Sequence, residues 1–92
     1  MQSHVSTFVL SSIFTEWGLE ASDRHLLEGL GLEGAEHLCA IHVALGQIFA
    51  HNPKLAALWP TTSNNALQKL SPMDVIRRDG LAGIKRVRSL LE

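Results

Sequence analysis

The sequence lacks the features that are typical of secreted and membrane-spanning proteins. It has one cysteine, Cys39, so no disulfide can form inside the chain. No apolar run approaches the roughly 20 residues of a membrane-spanning helix, and residues 1–12 lack the basic start of a secretory signal. We therefore expect a cytoplasmic protein with no membrane partner.

No group of residues has the pattern of a catalytic, cofactor or metal site. The glycines between residues 29 and 34 lack the strand, the lysine and the spacing of a phosphate-binding loop. His37 and His42 are five residues apart, whereas two ligands on one face of a helix need a separation of three or four. Cys39 lies on an apolar face, which is typical of a structural thiol. We expect neither an enzyme nor a bound cofactor or metal.

The first half of the chain has the apolar periodicity of three helices. These helices are predicted over residues 4–17, 23–30 and 33–51. Gly18 is expected to end the first helix, and Ser22 is predicted to cap the second. The apolar stripe of the third helix is expected to consist of Leu38, Ile41, Leu45, Ile48 and Phe49.

Another helix is predicted after an Asn-Pro pair in the middle of the chain. Asn52 can cap a short helix over residues 54–58, with Pro53 at the first position. Leu55 and Leu58 of this helix are expected to extend the hydrophobic core.

Ser71 marks the clearest helix start in the chain. It can act as the cap, Pro72 fits the first position because no N–H is needed there, and Asp74 follows the cap by three residues. The helix is predicted over residues 72–78, with a left-handed turn at Gly80. A final helix follows, and its apolar stripe consists of Leu81, Ile84, Val87 and Leu90/Leu91.

These patterns together predict an all-α fold. No segment has a convincing strand pattern, so we expect a small single-domain bundle of five or six helices. Residues 1–52 and 53–92 are expected to be its two parts, joined in one compact unit. Hydrophobic residues make up 46% of the chain and about 54% with glycine, above the usual ~45–50%. This surplus predicts a dimer or a partner surface; the alternative is a leucine-rich core with ordinary surface leucines.

Charge is distributed unevenly along the chain. Residues 1–53 contain six acidic residues and one arginine, and residues 54–92 contain seven basic and three acidic residues. The net charges are therefore −5 and +4. The basic residues include a cluster of Arg77, Arg78, Lys85, Arg86 and Arg88. Three interpretations are open for this cluster: a solvated face, a contact with nucleic acid, or a docking site for an acidic or anion-binding partner.

An ordered set of residues in the last forty or so positions resembles a known family. The set consists of Trp59, Asn64, Leu67, Ser71-Pro72, Gly80, Gly83, Val87 and Leu90. Its spacing is similar to that of the C-terminal toxin-binding domain of the Xre/MbcA/ParS-type antitoxins. Ser63 and Lys69 depart from the family pattern, in which proline and glycine are usual at these positions. More weakly, Trp17-Gly18-Leu19 and Leu26-Leu27 resemble the start of the family's helix-turn-helix region.

The resemblance implies a function. A protein of this family is expected to be an antitoxin that binds a RES-domain toxin, an NAD+-degrading enzyme, and blocks its active site. The expected partner-binding residues are Arg77, Arg78, Lys85, Arg86, Arg88, Leu91 and Glu92. The residues expected to support this face are Trp59, Asn64, Leu67, Pro72, Gly80 and Gly83. A homodimer, or a higher complex with the toxin, is also expected.

Two alternatives remain open at this point: a DNA-binding autoregulator of the helix-turn-helix type, and an orphan interaction module that shares the antitoxin fold. Residues 28–37 span the interval in which the family has its recognition helix. They contain Glu28, Glu33 and Glu36 but no lysine or arginine. Because cations that neutralise phosphates supply much of DNA affinity, we expect the DNA-reading part to be shortened or lost.

Overall fold

The computed structural model describes residues 7–92, with side chains from residue 9 onward, and its regular structure is helical. The α-helices are α1 (Thr7–Glu16), α2 (Ala21–Gly29), α3 (Gly31–Ile48), α4 (Pro53–Leu58), α5 (Pro72–Asp79) and α6 (Leu81–Leu91). Two 3-10 turns, Trp59–Thr61 and Asn65–Leu67, lie between α4 and α5. Within the described residues, β pairing is limited to a single bridge between Asn64 and Leu70. The predicted all-α fold is confirmed.

One hydrophobic core joins the two halves of the chain. α6 packs on α3 and α5, and α1 and α2 pack on α3. The buried core residues are Ile13, Phe14, Trp17, Leu19, Leu27, Leu38, Ile41, Leu45, Leu67, Met73, Val75, Ile76, Ile84 and Val87. Burial of one such side chain stabilises the fold by roughly 1.5–3 kcal/mol relative to exposure. Every helix except α3 has 11 residues or fewer, and helices this short are marginal on their own, so the shared core holds them in place.

The caps of α4 and α5 form as the sequence predicts. The Ser71 hydroxyl accepts a hydrogen bond from the N–H of Asp74 at 3.0 Å, and the Asp74 carboxylate accepts one from the N–H of Ser71 at 3.0 Å. Pro72 is the first residue of α5, which ends one residue later than predicted. Asn52 and Pro53 occupy the corresponding positions at the start of α4. These caps depend on residues close together in the chain, which is why the sequence identifies them.

The predicted cap of α2 is wrong. The helix begins one residue before Ser22, and the cap position is held by Glu20, whose side chain makes no capping hydrogen bond. The start of α2 is instead fixed by tertiary contacts of the residues just before it and in its first turn. Leu19 is buried just before the helix, and Asp23 in the first turn is bound by Arg77 of α5. Tertiary contacts therefore decide where α2 begins.

The bounds of α1 and α3 also differ from prediction. α1 ends at Glu16, and the first three residues of the predicted helix, residues 4–6, lie outside the described residues. α3 begins two residues earlier than predicted and ends three residues earlier. Gly31 has a φ of +73°, which glycine adopts without a steric penalty. Leu30 alone is therefore enough to connect α2 to α3.

Three aliphatic residues that were predicted to be buried lie on the surface. Ile48 is 54% exposed, whereas Phe49 is half-buried against the core. Ile48 is the last residue of α3, whereas Phe49 follows the helix with a φ of −108° and a ψ of 39°, so its position does not continue the helical stripe. Leu55 and Leu58 are exposed because they share one side of α4, and Ala56 packs against the core from the other. α4 therefore contributes no buried residue.

Candidate partner-binding face

α5 and α6 meet at a corner that requires two glycines. Gly80 connects the helices with a φ of +61°, which residues with a Cβ rarely adopt. The prediction of a left-handed turn at Gly80 is correct for φ. It is wrong for ψ, which is −127° and lies outside the left-handed helical region. Gly83 is buried, and a Cβ at this position would lie 2.5 Å from the carbonyl oxygen of Val75 and 3.0 Å from Cα of Ile76. α6 therefore rests directly on the backbone of α5, which fixes its direction.

The segment between α4 and α5 contains three of the four other predicted support residues, and the fourth, Pro72, begins α5. Trp59 packs half-buried against the core, and Leu67 is buried within it. Asn64 closes the segment into a loop: its Oδ1 accepts the N–H of Ala66 at 2.9 Å, and its own N–H donates to the Leu70 carbonyl at 3.0 Å. α5 packs against the 3-10 turn that begins at Trp59. The segment thus supports α5, and through α5 it supports α6.

Two residues of this loop have a strained backbone. Gln68 and Lys69 have φ values of 58° and 70°, in the left-handed region. This region costs a residue with a Cβ roughly 1–2 kcal/mol. A glycine at position 69 would adopt this backbone conformation without the steric cost.

Arg77, predicted as a partner-binding residue, is bound by two carboxylates of its own chain, although its side chain is 43% exposed. Its Nε and Nη2 donate to the two carboxylate oxygens of Asp23, each at 2.8 Å, and its Nη1 donates to Asp74 Oδ1 at 2.7 Å. Asp23 is only 5% exposed. The hydrogen bonds from Arg77 lower the pKa of Asp23 below its usual range, and burial opposes this shift. Arg77 therefore connects α2 to α5, a contact that the basic cluster did not predict.

Other members of the basic cluster also pair with carboxylates of the same chain. Lys85 Nζ lies 3.0 Å from Glu33 of α3, and its hydrogen bond lowers the pKa of Glu33. Arg78 lies 3.1 Å from Asp79 and lowers the pKa of that carboxyl, with a smaller contribution from Arg86. Part of the opposite charge on the two halves is therefore matched within the molecule.

The last turn of α6 is joined to α3. Nη1 of Arg88 lies 3.0 Å from Nδ1 of His37, and Nε of Arg88 lies 3.2 Å from Glu92. Beside this contact, a groove of about 390 Å³ lies between α3 and the end of α6. Val43 and Gln47 line the groove together with Arg88 and Glu92. Val43 and Gln47 of α3 therefore lie next to the last turn of α6, which was predicted to bind the partner. No sequence pattern predicted a role for these two residues.

α6 also has an exposed face, and we call Arg86 and Leu90 its outer face. Arg86 takes part in none of the ion pairs found within the described residues. Leu90 is 39% exposed, whereas Leu91, which was predicted to contact the partner, packs half-buried against the core. The sequence does distinguish Leu91 from Leu90. Ile84, Val87 and Leu91 are spaced three and four residues apart, so Leu91 continues the buried stripe of α6 and Leu90 does not.

No protein-family model, curated protein or solved structure matches this chain. The relation to the antitoxins therefore stays a prediction from the residues that carry the resemblance. Within residues 7–92, no group of three or more histidine, cysteine or acidic side chains is arranged to hold a metal ion. No helix in that range is both long enough and apolar enough to cross a membrane. Burial raises the pKa of the Cys39 thiol, which disfavours its reactive thiolate form.

Proposed function

We propose that this protein is an antitoxin-type inhibitor that binds a RES-domain, NAD+-degrading toxin through α6 and blocks the toxin's active site. One observation carries the proposal. The residues that resemble the antitoxin family, from Trp59 to Gly83, are the ones that support and orient α6, while the outer face of α6 remains exposed. An inhibitory helix needs this combination of a rigid base and an accessible face.

The proposed mechanism is occlusion of the toxin's pocket, without catalysis. Leu90 would supply an apolar anchor on the outer face of α6. Arg86 would supply a guanidinium that forms no ion pair with the described part of the chain, and this group suits bidentate contacts to carboxylates or phosphates. Arg77 is a poor candidate for partner contact, because breaking its bonds to Asp23 would leave a buried carboxylate without its cation.

Co-expression with a RES-type toxin tests the proposal. With this protein present, cellular NAD+ should be preserved and the two proteins should co-purify. Leu90→Asp and Arg86→Glu should each weaken inhibition at least about tenfold, since central apolar and arginine contacts often contribute 2 kcal/mol or more. Leu58→Asp is the matched control, because Leu58 is also exposed but lies on α4. Loss of NAD+ with no co-purification would reject the proposal.

Removal of residues 88–92 is a second test of the occlusion mechanism. The truncated protein should bind the toxin less well and release its activity. Because Leu91 packs on the core, the helical content and unfolding of the truncated chain must be compared with the parent. Unchanged inhibition by a folded truncation would exclude a role for the last turn of α6.

No feature of the described residues favours the DNA-binding alternative. Glu28, Glu33 and Glu36 are exposed near the α2–α3 connection, the interval in which the antitoxin family has its recognition helix and this chain was expected to have a shortened one or none. Lys85 lies beside Glu33 and is already paired with that carboxylate. Carboxylates on this surface would repel phosphates. Salt-sensitive binding to an operator sequence would support the alternative over the antitoxin function.

A further inference from the structure

The contact between His37 and Arg88 determines which ring nitrogen of His37 carries a proton. The guanidinium of arginine has donors only, so Nδ1 of His37 must accept the hydrogen bond from Arg88 Nη1 at 3.0 Å. The imidazole is then neutral, with its proton on Nε2. That nitrogen lies 3.6 Å from the carboxylate of Glu33, one turn earlier on α3. The His37 side chain is only 17% exposed, so water competes weakly for these contacts.

Protonation of His37 is incompatible with this arrangement. A proton on Nδ1 would face the donor of Arg88, and the imidazolium and guanidinium would repel each other. The imidazolium has an alternative partner in Glu33, although Lys85 also binds that carboxylate at 3.0 Å. Arg88 would keep only its contact with Glu92, which lies in the same segment. The hydrogen bond that joins Arg88 to α3 would therefore be lost, whereas the packing of Val87 and Leu91 on the core does not depend on this charge.

Other groups near this contact do not change charge in the same way. The charged groups around His37 are Glu33 on its own helix, Lys85 and Arg88 on α6, and Glu92 after α6. Cys39 lines the groove beside Arg88, and burial keeps its thiol protonated by raising its pKa. Imidazole is the side chain that ordinarily changes charge between pH 5 and 8.

We propose that His37 forms a pH-sensitive hydrogen bond with Arg88, which ties the last turn of α6 to α3 while the imidazole is neutral and loosens that turn when the imidazole is protonated. This inference concerns the free protein and does not rest on the antitoxin function. If that function holds, the same change would alter the part of α6 next to its outer face.

Nuclear magnetic resonance of the full chain tests the inference directly. At pH 8, ring ¹⁵N shifts should identify His37 as the Nε2–H tautomer. On titration to pH 5, amide signals of residues 88–91 should move with the same midpoint as the His37 ring. Hydrogen exchange of these amides, corrected for its intrinsic pH dependence, should become about tenfold faster, as expected for loss of a hydrogen bond to a charged group.

Two variants separate His37 from the other histidines. His37→Gln keeps an acceptor for Arg88 but cannot titrate, so the change at residues 88–91 should disappear. His42→Gln is the matched control, because His42 also lies on α3 and pairs with Glu16 at 2.9 Å, and the change should persist. The Nδ1–H tautomer at pH 8 in the parent protein would overturn the inference. So would α6 signals that ignore the His37 titration, or a change that survives in His37→Gln.

Discussion

Asp23 is the residue whose environment departs furthest from that of a surface carboxylate. It is buried, yet both of its oxygens accept hydrogen bonds from Arg77, 54 residues later in the chain. A buried ion pair adds little relative to an apolar pair, but removing one partner is costly because the other is left without compensation. Arg77 is partly exposed and keeps Asp74, so here the cost is reduced by solvent and by that second carboxylate.

Asp23→Asn should therefore lower the free energy of unfolding by about 2 kcal/mol. Urea denaturation at pH 7 measures this loss. Asp79→Asn is the control, since Asp79 and Arg78 form an exposed pair between chain neighbours, and no measurable change is expected. Equal effects of the two substitutions would mean that the Asp23–Arg77 contact does not hold α2 against α5.

Lys69 allows a test of backbone strain at a single residue. With a φ of 70°, replacement by glycine should remove the steric cost while increasing the entropy of the unfolded chain. Lys69→Gly should give a net gain of about 0.5 kcal/mol in the free energy of unfolding. Lys69→Ala keeps the Cβ and removes the charge, so it should give no gain. A gain with alanine as large as that with glycine would point to charge as the cause.

At the scale of the helix, two serines give a direct comparison of cap formation. Ser71 caps α5 through a reciprocal pair of hydrogen bonds, whereas Ser22 lies inside the first turn of α2. Ser71→Ala should lower the free energy of unfolding by about 1 kcal/mol. Ser22→Ala should leave it within about 0.5 kcal/mol, because alanine has the higher helix propensity. Thermal unfolding of both variants measures the difference, and a larger loss for Ser22→Ala would restore the cap predicted from the sequence.

The close crossing of α5 and α6 depends on glycine at position 83, which has no Cβ. A Cβ on Gly83 would clash with the backbone of α5, and backbone atoms cannot rotate away as a side chain can. Gly83→Ala should lower the free energy of unfolding by about 1–3 kcal/mol. Gly46→Ala is the control within α3, where no atom lies within 4 Å of the new Cβ. The control should gain up to about 1 kcal/mol, and a loss in both variants would reject the crossing described above.

Helix type and the caps of α4 and α5 could be predicted because the determining residues are near each other in the chain. The Ser71–Asp74 pair is complete within four residues, whereas the start of α2 depends on Arg77 in a distant helix. Ile48 and Phe49 show a related difficulty. Both fit the apolar stripe of α3, and only packing by other helices selects Phe49. Periodicity therefore predicts that a stripe exists more reliably than it predicts the edges of the stripe.

The candidate face stays a prediction, and the structure changes how its basic residues are read. The basic cluster lies on α5 and α6, but the sequence cannot show that Arg77 and Lys85 reach acidic residues of α2 and α3. These contacts alter the interpretation of the charge asymmetry. At the scale of the whole molecule, part of the opposite charge on the two halves is paired between them, so that part is not available as an unpaired surface for a partner.

Because of these long-range ion pairs, the stability of the whole molecule depends on pH. The pKa values of Asp23 and Glu33 are lowered, chiefly by hydrogen bonds from Arg77 and Lys85 respectively. A carboxyl with a lowered pKa binds fewer protons in the folded state than in the unfolded state. Its contribution is therefore complete above the unfolded pKa and is lost as pH falls through the folded pKa. We expect the free energy of unfolding to decrease below about pH 5.

Urea denaturation between pH 7 and pH 3 measures this dependence, and the Asp23→Asn variant identifies its source. The variant lacks a carboxyl that the folded state keeps ionised, so its stability should fall less steeply with acid than that of the parent. The difference between the two proteins should be largest at pH 7 and shrink toward pH 3, where the parent also loses the Asp23–Arg77 attraction. A constant difference across this range would mean that Asp23 stabilises the fold by packing and neutral hydrogen bonding, and that its charge is not what joins α2 to α5.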